Sequence, residues 1–221
     1  MSSVVDHNKL IKQAATLVLK PNGLFQKGSS RIWIDDNGWY LIVVEFQPSA
    51  WSKGSYLNVG IHYLWREQEY LSFDYGHRAV ELVSFEENPE LFLQKMHMLA
   101  GAAMQKVCEY RRFGDLQYAR NMILANDRFV NKVHNLYHKM MICGMIGDPY
   151  AVYCFRELEG ILLLSETEWE KAYYRELCEK IAPIVQDTDL LRAYVLEKIR
   201  HQREFWGSKS GMKKLKKQET P

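Results

Sequence analysis

After one N-terminal helical segment, the apolar residues of this chain pass from strand to helical spacing at Asn88-Pro89-Glu90, and that change sets the architecture. Before it lie runs of β-branched and aromatic residues broken by turn residues. After it come helix formers with no strand alternation, and Pro89 suits the first turn of a helix. Strands gathered in one half and helices in the other make an α+β protein.

The elements follow from local pattern. In residues 6–20 Leu10, Ile11, Ala14, Ala15, Leu17 and Val18 recur at helical spacing until Pro21, Asn22 and Gly23 stop them, giving one amphipathic helix. Residues 31–35 and 39–47 read as strands joined at Asp36-Asn37-Gly38, whose residues tolerate positive φ. A third strand is expected at 55–65, and 69–75 and 79–85 add two more in an antiparallel meander. Helices are expected at 89–113, 115–125, 128–145, 148–164, 166–183 and 187–206, with no fixed-offset 34-residue repeat among them. The expected division is 1–87 for the helix and sheet, 88–206 for a helical region packed on it, and 207–221 for a flexible basic tail.

The 221 residues are 47% hydrophobic and 25% charged, enough apolar surface for a core. The net charge of +2 gives no global pull toward nucleic acid or an acidic surface. It is unevenly spread, because residues 198–221 carry eight Lys/Arg against two acids and leave the rest mildly acidic. That tail could hold a polyanion weakly through counterion release, but nothing beside it supports specific nucleic-acid readout. No apolar run reaches membrane-spanning length, and the first residues lack the charged and apolar regions of a secretory signal. A cytoplasmic location is the expectation, with Cys108, Cys143, Cys154 and Cys178 as reduced thiols, since none forms a CxxC pair.

Strand parity supplies the candidate site. In 39–47 the even residues Tyr40, Ile42, Val44 and Phe46 form an apolar face, and the opposite face ends in Glu45 and Gln47. In 55–65 the odd residues are apolar, and Asn58, Gly60 and His62 share the other face. If the polar faces coincide, Glu45, Gln47, Asn58 and His62 gather on the sheet, with Gly60 leaving room for an approaching group. Two readings stand open: a hydrated outer face or satisfied network, and a ligand groove in which Glu45 and His62 act as a general acid/base pair. No nucleophile accompanies that pair. The loop at 47–55 adds Trp51 and Lys53, able to stack on and neutralise a ligand, unless Trp51 instead caps the core.

His134 and His138 stand four apart on an expected helix and could grip a metal. Asn135 occupies the place where a zincin carries Glu, and no third ligand is marked by spacing. No cofactor signature is present. Trp169, Tyr173 and Tyr174 recur at helical spacing in the acidic segment 165–178, consistent with core packing or a partner helix.

Residues 17–65 resemble the opening of a group of uncharacterised bacterial domains of unknown function. These have a helix, a Gly followed by an aromatic and a basic residue, a hairpin ending in Gln, and a strand with Asn-Val-Gly. Phe25, Lys27, Gln47, Asn58 and Gly60 would be the pattern positions, with Leu24 departing where Phe is usual. The resemblance implies no activity. The expected function is a non-enzymatic binding or protein-interaction module of a bacterial protein that holds its partner through the sheet face and its loop, with Gln47, Trp51, Lys53 and Asn58, or through the helical half. The alternatives are an enzyme acting through Glu45 and His62, and a polyanion-binding tail.

Overall fold

A computed structural model describes residues 6–86, 88–126 and 131–215. The chain divides into two compact units, one running through Arg111 and resuming at His201, the other Arg112–Arg200.

The first unit opens with α1 (His7–Leu19), whose first turn is capped by Asp6 accepting from the Asn8 N–H at 3.0 Å. A five-stranded antiparallel sheet follows in sequential order: β1 (Phe25–Gln26), β2 (Ile32–Asp36), β3 (Tyr40–Gln47), β4 (Gly54–Tyr63) and β5 (Tyr75–Ser84). The β2–β3 turn forms where expected, with Gly38 at φ 83° and its N–H donated to Asp36 Oδ1 at 3.2 Å.

Next comes α2 (Pro89–Arg111), started by Asn88 Oδ1 accepting from the Leu91 N–H at 3.0 Å. Its buried residues Phe92, Met96, Leu99, Ala100, Ala103, Val107 and Tyr110 form one stripe that packs against α1 and β3–β5. The sheet face they meet carries Tyr40, Ile42, Val44 and Phe46 with Leu57, Val59, Ile61 and Tyr63, all fully buried. Two polar fasteners cross this layer. The Tyr40 hydroxyl donates to the Tyr110 carbonyl at 3.1 Å, and Arg111 Nε donates to Asp35 Oδ2 at 2.8 Å.

The opposite sheet face is covered at one end by the C-terminal turns of α7 (Thr188–Ser208). Arg203 binds both oxygens of Asp36 at 2.7 and 2.9 Å, and the Trp206 ring meets His62 edge-on at 5.8 Å. Met212 is fully buried and Gly211 lies against Gly28, so the flexible tail expected from 207 instead folds onto its unit through Met212. Residues 216–221 of that expected tail lie outside the described residues.

The second unit holds α3 (Leu116–Leu124), α4 (Lys132–Ile146), α5 (Tyr150–Leu163), α6 (Glu168–Glu176), a π turn at Leu177–Ile181 and the opening turns of α7. Asp115 caps α3 and Asn131 caps α4 through backbone N–H bonds. Gly147, at φ 75°, ends α4, and the three residues before α5 leave the two helices as packed neighbours.

Three expectations change. The boundary at residue 88 moves to Arg111, because α2 supplies the layer that buries the sheet. Residues 69–74 form a loop rather than a strand, while β5 runs unbroken from Tyr75. The two-residue β1 was too short to show in the pattern; it exists because Phe25 and Gln26 pair with Ile34 and Trp33.

Candidate binding surface on the sheet

The β3–β4 register places Glu45 opposite Asn58 and Gln47 opposite Tyr56, and β5 brings Arg78 beside Asn58. Alternation puts these side chains on the face opposite α2. Asn58 Nδ2 donates to Glu45 Oε2 and to Gln47 Oε1, each at 2.8 Å. Arg78 Nη2 donates to Gln47 Oε1 at 3.2 Å, and its guanidinium lies 4.1 Å from the centre of the Tyr56 ring. Glu45, Gln47 and Asn58 are thus brought together as expected. Arg78 and Tyr56 complete the cluster; only the register of β5 reveals Arg78.

His62 is not part of it. It pairs with Leu41, four residues along the strand from Asn58, or about 13 Å at ~3.3 Å per residue. Glu45 and His62 share a face but cannot exchange a proton directly, so the acid/base pair drawn from parity alone is not formed. Nor does Gly60 leave an opening. A Cβ there would lie 2.3 Å from the Phe73 ring and 2.6 Å from the Tyr75 carbonyl, because Phe73 fills the space.

The surroundings of His62 instead make a buried network. Its Nδ1 accepts from the Ser72 N–H at 3.3 Å and from Gln68 Nε2 at 3.0 Å, which places the proton on Nε2. The Ser72 hydroxyl donates to Asp74 Oδ1 at 2.8 Å, while Asp74 Oδ2 accepts the Tyr63 N–H at 2.8 Å. Burial, reinforced by the Arg66 charge, pushes the His62 pKa down to about 3, and burial raises that of Asp74. Serine, histidine and aspartate meet here, but the serine hydroxyl is given to the aspartate and the imidazole is sealed from solvent. Such an arrangement fastens the 64–74 loop to β4 and activates no nucleophile. Ser72 and Asp74 are hidden in the sequence because 69–75 has a strand-like pattern, and Gln68 because it lies in the connection before it.

The β3–β4 loop continues directly from Gln47. Ser49 Oγ accepts the N–H groups of Trp51 at 3.2 Å and Ser52 at 3.4 Å, closing a tight turn, and the Lys53 carbonyl accepts from the Phe85 N–H at 3.0 Å. Trp51 is 94% exposed on that shaped loop, so it does not cap the core, and Lys53 is exposed beside it.

In the second unit His134 and His138 occupy one face of α4, but their surroundings differ. His134 lies 5.6 Å from the Trp169 ring, whereas His138 is buried. Among the described residues no group of three His, Cys, Asp or Glu surrounds a common point. Tyr173 meets Tyr137 at 5.4 Å, while Trp169 remains 47% exposed.

Residues 15–78 fit the model of a domain of unknown function, DUF4304. That span runs from the middle of α1 to Arg78 and contains the polar cluster and the Trp51 loop, which ties the earlier resemblance to a specific family model. No curated protein and no solved structure matches the chain. Among the described residues no helix is long and apolar enough to cross a membrane.

Proposed function

We propose that the first unit is a non-enzymatic protein-binding module whose partner engages the β3–β4 loop and the polar sheet face that continues from it. The observation that carries this reading is the 94% exposure of Trp51 on a loop with its own internal hydrogen bonds. A large aromatic side chain held in water on a shaped turn offers apolar area for a partner to bury, and Trp is among the residue types most enriched at interface hot spots. Lys53 is exposed in the same loop, and on the polar sheet face Tyr56 and Arg78 add an aromatic and a cation beside the acceptors Gln47 and Glu45. The sealed, neutral His62 favours binding over catalysis.

The test is affinity capture from native lysate with the full chain and with Trp51→Ala. The expected result is one stoichiometric protein retained by the wild type and lost from the variant. Identical capture by both would overturn the reading.

A further inference from the structure

Between the first turns of α1 and the 26–31 segment that joins β1 to β2, the surface sinks into a groove of about 320 Å³. Its floor is apolar, formed by Ile11, Trp33 and Phe46, and its walls carry Lys9, Lys12 and Arg31 with no Asp or Glu. The volume lies at the small end of ligand sites. Lys9 and Lys12 are exposed and make no ion pair among the described residues.

Arg31 is the distinctive member. Its guanidinium is half-buried, yet every partner it has is neutral: Nη1 donates to the Gly54 carbonyl at 3.2 Å, and Nη2 donates to Asn8 Oδ1 and lies 3.4 Å from His7 Nε2. Burial pulls its pKa down, with only the field of Asp6 opposing. Asp6 itself is committed to capping α1 through Asn8. Burial followed by the Arg31 charge lowers the His7 pKa as well, so no counter-charge comes from that side. Elsewhere the arginines that hold structure together are matched with a carboxylate: Arg111 with Asp35 at 2.8 Å, Arg120 with Asp148 at 2.6 Å and Arg203 with Asp36 at 2.7 Å. A partly desolvated cation without an anion is unfavourable unless something supplies the charge. Among the described residues, the contacts of Arg31 leave its Nε–H and one Nη1–H without a protein acceptor, and either can give a single charge-assisted hydrogen bond to an oxyanion.

We propose that this groove is a binding site for a small soluble organic anion. Its carboxylate or phosphate meets Arg31 with Lys9 and Lys12 at the rim, and its apolar body rests on Ile11, Trp33 and Phe46. The site does not depend on a protein partner at the Trp51 loop.

The test is two-dimensional NMR of the full chain titrated with sodium benzoate, with benzamide as the uncharged analogue, inorganic phosphate as the bare oxyanion, and phosphatidylglycerol vesicles as the lipid source of the same chemistry. Benzoate is expected to shift Ser29, Ser30 and the Arg31 side chain saturably, phosphate to shift them more weakly, and benzamide not at all. Arg31→Gln is expected to weaken benzoate at least about tenfold. Because Arg31 also ties Gly54, the exposed Lys12→Gln serves as the variant that leaves the fold alone and is expected to weaken benzoate severalfold. Equal binding of benzoate and benzamide, unchanged affinity in Lys12→Gln, or a response to vesicles alone would each overturn the proposal. So would the absence of any saturable shift.

Discussion

Arg203 on α7 holds both carboxylate oxygens of Asp36 at 2.7 and 2.9 Å and also donates to the Gly38 carbonyl at 2.6 Å. One side chain near the C-terminus therefore locks the β2–β3 turn, 165 residues away in sequence. Both partners are almost wholly buried, with side chains 10% and 3% exposed. Arg203→Ala removes the guanidinium from the buried Asp36 carboxylate, which costs about 3 kcal/mol or more. Urea unfolding should show that loss, and a loss below about 1 kcal/mol would mean the pair is not formed as described.

Gly60 sits where any Cβ collides with the Phe73 ring and the Tyr75 carbonyl. Gly60→Ala is expected to destabilise by about 2–3 kcal/mol through overpacking. Pairing it with Phe73→Ala should recover part of the loss in thermal unfolding, because the ring is then absent. No recovery in the double variant would show that the backbone contact dominates.

His62 makes the fold pH-dependent. Its pKa is about 3 in the native state against an ordinary 6.5, so between those values the unfolded chain takes up a proton that the native one refuses. The stabilising contribution is complete above pH 6.5 and falls as pH drops, by up to about 1.4 kcal/mol per unit from this group. Asp74, whose carboxyl burial raises, gains its proton earlier in the native state and opposes the fall at its acid end. Unfolding free energies between pH 7 and pH 5 should decline in the wild type and flatten in His62→Gln. Equal slopes would contradict the buried neutral imidazole.

Burial raises the thiol pKa values of Cys143 and Cys154 to about 12 and about 11, while Cys108 is exposed. Thiolate reagents should therefore label Cys108 promptly in the native protein and reach Cys143 and Cys154 only on unfolding. Mass spectrometry after alkylation in native and denaturing buffer checks this. Rapid native labelling of Cys143 would contradict its placement.

The fold was legible where a residue's role is local. Asp36-Asn37-Gly38, the alternation in β3 and β4, and Asn88-Pro89 each announce their element through one or two residues. Parity also placed Glu45, Gln47 and Asn58 together, since neighbouring strands with the same facing need only the correct register. It failed for His62 because parity fixes a face and not a position along it. Arg78, Asp74 and Met212 were hidden for another reason: each acts through a contact set by strand pairing, loop closure or chain return, none of which has a sequence period. In the sequence Arg31 is only the first residue of an expected strand, and its lack of a bonded carboxylate becomes visible only when Gly54, Asn8 and His7 surround it.

Site-specific photo-crosslinking in native lysate decides whether the Trp51 loop meets a protein partner. A benzophenone amino acid at position 51 is compared with the same group at Tyr70, which is 61% exposed in the 64–74 loop. Substitution at Trp51 should itself change stability by no more than about 0.5 kcal/mol, given its exposure. One discrete adduct is expected from position 51 and none at that mass from position 70. Identical adducts from both positions, or none from position 51, would contradict the proposed contact.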